Sequence, residues 1–276
     1  MMVRDFVTVA GLRTHYWQAG SGPVLLLLHG QLPGSCVAVE WSDQIERFAD
    51  AGYSVYAIDE AGFGQTDNPI DYSIETRIAH ARAFVDHIAP DHYPNWRYHI
   101  WGCSMGTLMG CTMAMTDKRI DKLVLMPSTL LPPPLPNAPL SATPAPGSVG
   151  ELARRYTPSL DNARELLKRV LKNPAAWSEE RVRLLYENST GKNAEAERRR
   201  NEGGRPAPIH AELARVKNRC LIYWGADDPN SPLERAILML RLLPNAEMHI
   251  VRPAGHWPQV DQPERSFDLV NAYLKS

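Results

Sequence analysis

The sequence predicts an α/β protein in which a mostly parallel central sheet is flanked by helices and interrupted by a helical cap. Short β-rich runs alternate with segments of helical period over the first 126 residues, and the same rhythm returns near the carboxyl end. The run Val24 to Leu28 is apolar at every position, as expected of a central strand buried on both faces. The predicted strands are Asp5 to Val9, Leu12 to Ala19, Val24 to His29, Ser54 to Asp59, Tyr98 to Trp101, Lys122 to Met126, Arg219 to Trp224 and Ala246 to Val251. The first two form an edge hairpin in this prediction, and helices follow at Leu233 to Leu242 and Pro263 to Leu274.

The middle of the chain breaks this rhythm. Eight of the twenty residues from 127 to 146 are proline, which neither donates to a sheet ladder nor fits inside a helix. Two amphipathic stretches follow, Leu160 to Leu171 and Ser178 to Asn188. We therefore predict a core formed by residues 1–130 and 211–276, with a proline-rich segment and helical cap at 131–210.

Composition narrows the possible functions. The 276 residues carry a net charge of -1, which provides no overall attraction to nucleic acid or anionic membrane. The spacing of Cys36, Cys103, Cys111 and Cys220 fits neither a metal site nor a disulfide framework, so reduced thiols are expected. The amino terminus lacks the apolar run of a signal peptide. These features favour a cytoplasmic protein that binds neither membrane nor nucleic acid.

The segment that contributes most to the functional prediction is Gly102-Cys103-Ser104-Met105-Gly106. It follows a predicted strand and precedes a segment of helical character, the context in which such a pentapeptide forms a sharp turn with an exposed serine hydroxyl. Ser104 is therefore the predicted nucleophile. No metal cluster or dinucleotide fingerprint is present in the sequence, so no metal and no cofactor are expected.

A serine nucleophile requires a histidine base and a carboxylate that orients it. Asp227 and Asp228 follow one predicted strand and His256 follows the next, which gives the chain order Ser, Asp, His of one known class of triad. We predict His256 as the base and Asp228 as its partner, with Asp227 as the alternative. His29 is interpreted as a structural hydrogen-bonding group.

Acyl chemistry also needs two backbone N–H donors at the position where a carbonyl oxygen becomes an anion. Met105 supplies one, because it directly follows the nucleophile at the start of a helix. We predict that Gln31, in the loop after the third strand, supplies the other.

These motifs resemble those of the α/β hydrolases over essentially the whole chain. The resemblance is carried by His29-Gly30, Asp59, Gly62-Phe63-Gly64, the Gly102 to Gly106 turn, Gly225 to Asp228, Pro232 and Gly255-His256. Within that superfamily the chain is most similar to the meta-cleavage product hydrolases, which split a carbon–carbon bond in vinylogous diketones formed from ring-opened aromatic compounds. Pro33-Gly34, Trp41, the Asp59 to Asp67 loop, Arg77-Ile78, Ser104-Met105-Gly106 and Trp257 support this closer similarity.

The resemblance implies a substrate-binding set of Gly30, Leu32, Glu40, Cys103, Leu185 and Trp257. Three of these positions depart from the family pattern. Cys103 and Glu40 stand where asparagine is usual, and Leu185 stands where a cap arginine usually binds the substrate carboxylate, with Arg181 and Arg183 as substitutes. Two interpretations of Glu40 stay open: it faces the pocket, where it repels an acid and instead accepts from a hydroxyl or a cation, or it faces solvent.

The predicted function is a cofactor-free serine hydrolase that acts on a small carbonyl substrate. Cleavage of a carbon–carbon bond in an aromatic ring-fission-type compound is the first hypothesis, and a carboxylesterase for small hydrophobic esters is the second. A ligand receptor that retains a slow triad is the third, from a different functional class. The partner is a small molecule in each case, and a homodimer is compatible with the apolar stripes of the cap helices.

Overall fold

The computed structural model describes residues 2–89, 96–128, 149–203, 206–207 and 209–276. Its centre is one eight-stranded sheet with the order β1-β2-β4-β3-β5-β6-β7-β8. The strands are β1 (Val3–Val9), β2 (Leu12–Ala19), β3 (Val24–Leu28), β4 (Ser54–Ile58), β5 (Tyr98–Gly102), β6 (Ile120–Leu125), β7 (Arg219–Gly225) and β8 (Ala246–Val251). The helices are α1 (Val37–Glu40), α2 (Ser42–Asp50), α3 (Ile74–Ile88), α4 (Met105–Ala114), α5 (Val149–Arg154), α6 (Leu160–Val170), α7 (Glu179–Glu187), α8 (Gly191–Glu202), α9 (Leu233–Leu242), α10 (Pro258–Asp261) and α11 (Pro263–Lys275).

The pairing of the strands confirms the predicted α/β class. β1 and β2 form an antiparallel hairpin at one edge, and β2 is antiparallel to β4. Every other neighbouring pair in the sheet is parallel. The hairpin turns at Ala10 and Gly11, which have φ values of 50° and 77°. Most predicted strand ends are within one or two residues of those observed.

β3 shows why a continuous apolar run marks a central strand. All five of its residues are buried, and alternate side chains enter opposite layers of the core. Leu25 and Leu27 pack in one hydrophobic cluster, whereas Leu26 and Leu28 pack in the other. Full burial of a leucine side chain contributes about 1.5–3 kcal/mol, so both helical layers are fixed to the sheet by this strand.

The parallel strands also bring the functional loops to one edge of the sheet. Leu28 at the end of β3 pairs with Gly102 at the end of β5, so the loop carrying Gly30 lies beside the turn carrying Ser104. Asp228 follows β7 and His256 follows β8, at the carboxyl ends of the same sheet. Ligands of open α/β sheets bind at this edge.

The helical insert comprises α5 to α8, so the expectation of two cap helices was wrong in number. α6 and α7 occupy the two predicted amphipathic stretches, and α5 and α8 are additional. Most of the proline-rich segment lies outside the described residues, and the boundaries 131–210 stay a prediction.

Basic residues of the cap are used in local ion pairs. Arg164, for example, pairs with Glu179, and Arg198 pairs with Glu195. This arrangement is typical of a solvated charged surface. Among the described residues, no helix has the length and apolarity needed to cross a bilayer.

Candidate active site

The turn between β5 and α4 holds Ser104 in a strained backbone conformation. Its φ and ψ are 52° and −108°, values that a non-glycine residue rarely adopts. The glycines on either side are required sterically. A β-carbon on Gly102 would overlap the carbonyl oxygen of Gly106, and one on Gly106 would overlap that of Leu28. The turn therefore packs directly against β3 while Ser104 stays partly exposed.

His256 and Asp228 form a buried pair on the loops that follow β8 and β7. The distance from His256 Nδ1 to Asp228 Oδ2 is 2.8 Å, and both side chains are almost fully excluded from solvent. The second carboxylate oxygen accepts a hydrogen bond from Asn230 N–H at 2.7 Å. Asp227 points away and pairs with Arg252 at 2.9 Å. Of the two adjacent aspartates, Asp228 is thus the one that contacts the imidazole.

The backbone of His256 is hydrogen-bonded to the cap, whereas one nitrogen of its ring has no partner among the described residues. The His256 N–H donates to the carbonyl oxygen of Val170 at 2.7 Å, which fixes this loop to the cap. His256 Nε2 is buried and has no hydrogen-bond partner among the described residues. Burial lowers the pKa of His256, but the charge and hydrogen bond of Asp228 and the charge of Glu40 outweigh it, so the net pKa is raised. The ring is therefore prepared to gain a proton at Nε2.

Two amides beside Ser104 have no acceptor among the described residues. The N–H groups of Gln31 and Met105 form no hydrogen bond with the rest of the described chain. In contrast, the Gly30 N–H donates to Glu40 Oε2 at 2.9 Å, and the Gly106 N–H donates to backbone carbonyls. The two predicted oxyanion donors are thus available, whereas their neighbours are occupied.

A buried ion pair holds the loop that carries Gln31. Arg77 Nη1 donates to Gln31 Oε1 at 2.9 Å, and Arg77 Nε donates to Glu60 Oε2 at 2.9 Å. His29 lies beneath the same loop, where Nδ1 donates to Gly30 O and Nε2 accepts from Glu60 N–H. Together these groups hold the loop, and so they constrain the position of the backbone N–H of Gln31.

The family description "alpha/beta hydrolase fold" matches residues 23–263. The chain belongs to the α/β hydrolases. It is 28% identical to a 2-hydroxy-6-oxononadienedioate/2-hydroxy-6-oxononatrienedioate hydrolase of Burkholderia vietnamiensis, over 96% of this chain and 91% of that protein. A 2-hydroxymuconate semialdehyde hydrolase of Pseudomonas putida is 27% identical, over 97% and 92%. The crystal structure of a meta-cleavage product hydrolase from Pseudomonas fluorescens IP01 superimposes with a TM-score of 0.81 at 26% identity, covering 98% of this chain and 97% of that one.

These matches confirm that this hydrolase is related to the meta-cleavage product hydrolases. The three residues that differ from the usual residues of that family are all buried. Glu40 is 1% exposed, so the interpretation that it faces solvent was wrong. Cys103 lies beside it, fully buried. Leu185 is also fully buried, and its carbonyl group packs against Gly34 in the loop after β3. Leu32 and Trp257 are buried in the same cluster of the core.

The two cap arginines considered as substitutes have other surroundings. Arg181 donates to the carbonyl oxygens of Val39 and Ala176 and pairs with Asp43 at 2.6 Å. These contacts attach α7 to α1 and α2 of the hydrolase core. Arg183 is exposed on the surface of α7. Neither side chain has the surroundings of a residue that binds a substrate carboxylate.

Two residues of the site were missed in the sequence. Asp261 accepts hydrogen bonds from the N–H groups of Gly255, Lys172 and Asn173, and so links the histidine loop to the cap. Gln259 is buried and donates to the carbonyl oxygen of Glu40 at 3.3 Å. Both lie on α10, within five residues of His256 in the sequence. This proximity to the predicted base is the feature from which they could have been predicted.

Proposed function

We propose that this α/β hydrolase uses a Ser104-His256-Asp228 triad to cleave a carbon–carbon bond in a small aromatic ring-fission-type compound. The observation that carries the proposal is the buried hydrogen bond between His256 and Asp228, which follow β8 and β7 at the same edge of the sheet as the strained turn of Ser104. Such an arrangement orients an imidazole so that its other nitrogen accepts a proton from a serine.

In the first step, His256 Nε2 takes the proton of Ser104 Oγ as that oxygen attacks the substrate carbonyl carbon. Asp228 accepts from Nδ1–H, which selects the tautomer with a free lone pair at Nε2 and stabilises the imidazolium that forms. The carbonyl oxygen becomes an anion and accepts from the amides of Gln31 and Met105. Loss of one such donor typically raises the barrier by about 2.7–4 kcal/mol.

In the second step, the oxyanion collapses and the carbon–carbon bond breaks. For this step the substrate reacts as its diketone tautomer, in which the proton of the enol oxygen has moved to the carbon that will leave. The bonding electron pair is then delocalised over the adjacent alkene and carbonyl as a dienolate, and the imidazolium returns its proton to that fragment. Water then attacks the acyl-serine, with His256 again as base, and releases a carboxylic acid. The net change is addition of one water molecule across the carbon–carbon bond.

The similarity to the two bacterial relatives supports this substrate class. Their names give 2-hydroxy-6-oxononadienedioate and 2-hydroxymuconate semialdehyde as their substrates. We therefore expect the purified protein to bleach such coloured ring-fission compounds many times faster than it cleaves 4-nitrophenyl butyrate. Faster ester turnover would contradict the carbon–carbon assignment.

Ser104→Ala is the direct test of the nucleophile. We expect at least a 10³-fold loss of kcat on ring-fission compounds and on aryl esters, because both reactions require the same hydroxyl. Circular dichroism and a thermal melt verify that the fold is intact. A folded variant with the wild-type rate would overturn the triad.

A carboxylesterase for small hydrophobic esters is the second candidate. This function is favoured by the surroundings of the two cap arginines. Arg181 is hydrogen-bonded to Asp43 of the core and Arg183 is exposed, and an uncharged ester needs no arginine for binding. The same triad and oxyanion donors would serve that reaction, with an alcohol as the leaving group.

A further inference from the structure

The carboxyl group of Glu40 lies against the nucleophile turn. A β-carbon on Gly30 would be 3.2 Å from Ser104 Cβ and 3.4 Å from Glu40 Oε1. The acid and the serine therefore both border the space that a side chain at position 30 would fill. Glu40 Oε2 accepts the Gly30 N–H at 2.9 Å, which fixes this carboxyl at the residue directly before Gln31.

The other oxygen of Glu40 lacks a partner. Oε1 is buried and accepts no hydrogen bond from the described residues. The Ser35 hydroxyl and the Cys103 thiol lie close enough to the carboxyl to act as weak donors, and together with the charge of His29 they lower its pKa in part. No lysine or arginine in the described part of the chain forms an ion pair with it. A buried carboxyl oxygen without a partner is costly, and burial raises the pKa of Glu40 accordingly.

Two arginines on elements around this loop are already paired with other groups. Arg77 is paired with Glu60 beneath the oxyanion loop, and Arg181 is held by Asp43 and two carbonyl groups. Asp228 is paired with His256, so an ionised Glu40 adds a negative charge near Ser104 that no basic side chain of the described residues balances. A second carboxylate at this point would meet repulsion in a low-dielectric environment.

We propose that Glu40 is a specificity-determining residue, which accepts a hydrogen bond from a hydroxyl or N–H group of the substrate and disfavours a carboxylate at the same position. The inference rests on the proposed function, because it takes Ser104 as the reacting group. It narrows the substrate to ring-fission-type diketones or esters that are uncharged at the end facing Glu40. Glu40 would thereby reverse the charge preference that an arginine at position 185 would give.

The test compares substrates that differ in one charge. We would measure kcat/KM for a ring-fission dienoate and its methyl ester, and for mono-4-nitrophenyl glutarate and 4-nitrophenyl butyrate. Wild type should prefer the uncharged member of each pair by about tenfold or more. Glu40→Gln should narrow that preference by about tenfold, mainly through faster turnover of the carboxylate. Asp227→Asn is the matched control, since it also removes one negative charge but pairs with Arg252 at the surface.

Several outcomes would overturn the inference. One is a wild-type enzyme that prefers the carboxylate in both pairs, and another is a preference that Glu40→Gln leaves unchanged. If Glu40→Gln does not fold, Glu40→Asn supplies the neutral variant, and the wild-type preference still decides the first outcome. Failure of the proposed function is distinguishable, because then Ser104→Ala would retain activity, or the wild type would cleave 4-nitrophenyl butyrate faster than the ring-fission compounds whatever the residue at position 40.

Discussion

Two buried carboxyl groups lie at the edge of the sheet that carries Ser104, and they differ in how fully their oxygens are satisfied. Asp228 uses both oxygens, one on His256 Nδ1 and the other on Asn230 N–H. Glu40 uses one on Gly30 N–H, whereas the other has only the weak donors Ser35 and Cys103 nearby and no partner at full hydrogen-bond geometry among the described residues. The fully bonded acid serves the protein's own imidazole. The partly bonded acid is left to interact with a molecule that the chain does not itself supply.

The largest effect that separates the two acids is expected from Asp228→Asn. An amide in that place does not select the imidazole tautomer with a free Nε2, so kcat should fall by about 10³- to 10⁴-fold. The rate is measured on a ring-fission compound and on 4-nitrophenyl butyrate. Asp227→Asn should remain within about threefold of wild type, because Asp227 contacts Arg252 at the surface. Equal losses in both variants would contradict the assignment of Asp228.

A smaller effect concerns the pH dependence of kcat/KM. The free enzyme needs an unprotonated His256, and the raised pKa of His256 places the acidic limb above its ordinary value of 6.5. Below that limb the rate should fall about tenfold per pH unit. Because the negative charge of Glu40 contributes to raising this pKa, Glu40→Gln should move the limb to lower pH. An unchanged limb would show that Glu40 does not act on the imidazole.

Much of the contrast between these acids was out of reach of the sequence. Asp228 and His256 follow predicted strands, and parallel strands bring their carboxyl ends together, so their convergence was predictable from order alone. The burial of Glu40 depends on how α1 packs against the oxyanion loop and α10. No local pattern indicates that packing, since the single turn of α1 is too short to show a helical period.

The cap shows the same limit. α6 and α7 carry apolar residues at helical spacing and were predicted. α8 has almost no apolar residues, and its buried side chains are Asn193 and Ala196. It is held to the core by polar contacts, such as the hydrogen bond from Arg200 Nη1 to Gly62 O. Periodicity of hydrophobic residues cannot detect a helix whose attachment is polar.

The smallest effect is on stability, and its sign distinguishes a costly acid from a stabilising one. Burial raises the pKa of Glu40 above its ordinary value of 4.5, so the folded state binds this proton more tightly than the unfolded state. Stability is therefore lost as pH rises from about 4.5 through the raised pKa, and the loss is complete above it. Glu40→Gln removes this cost and should raise the free energy of unfolding at pH 8 by about 1 kcal/mol. The gain should shrink toward zero near pH 4, as measured by urea denaturation at each pH. If Glu40→Gln were destabilising by a similar amount at pH 8, the carboxylate of Glu40 would be stabilised by hydrogen bonds within the protein, as that of Asp228 is. Neither of its oxygens would then be free to accept a hydrogen bond from a substrate.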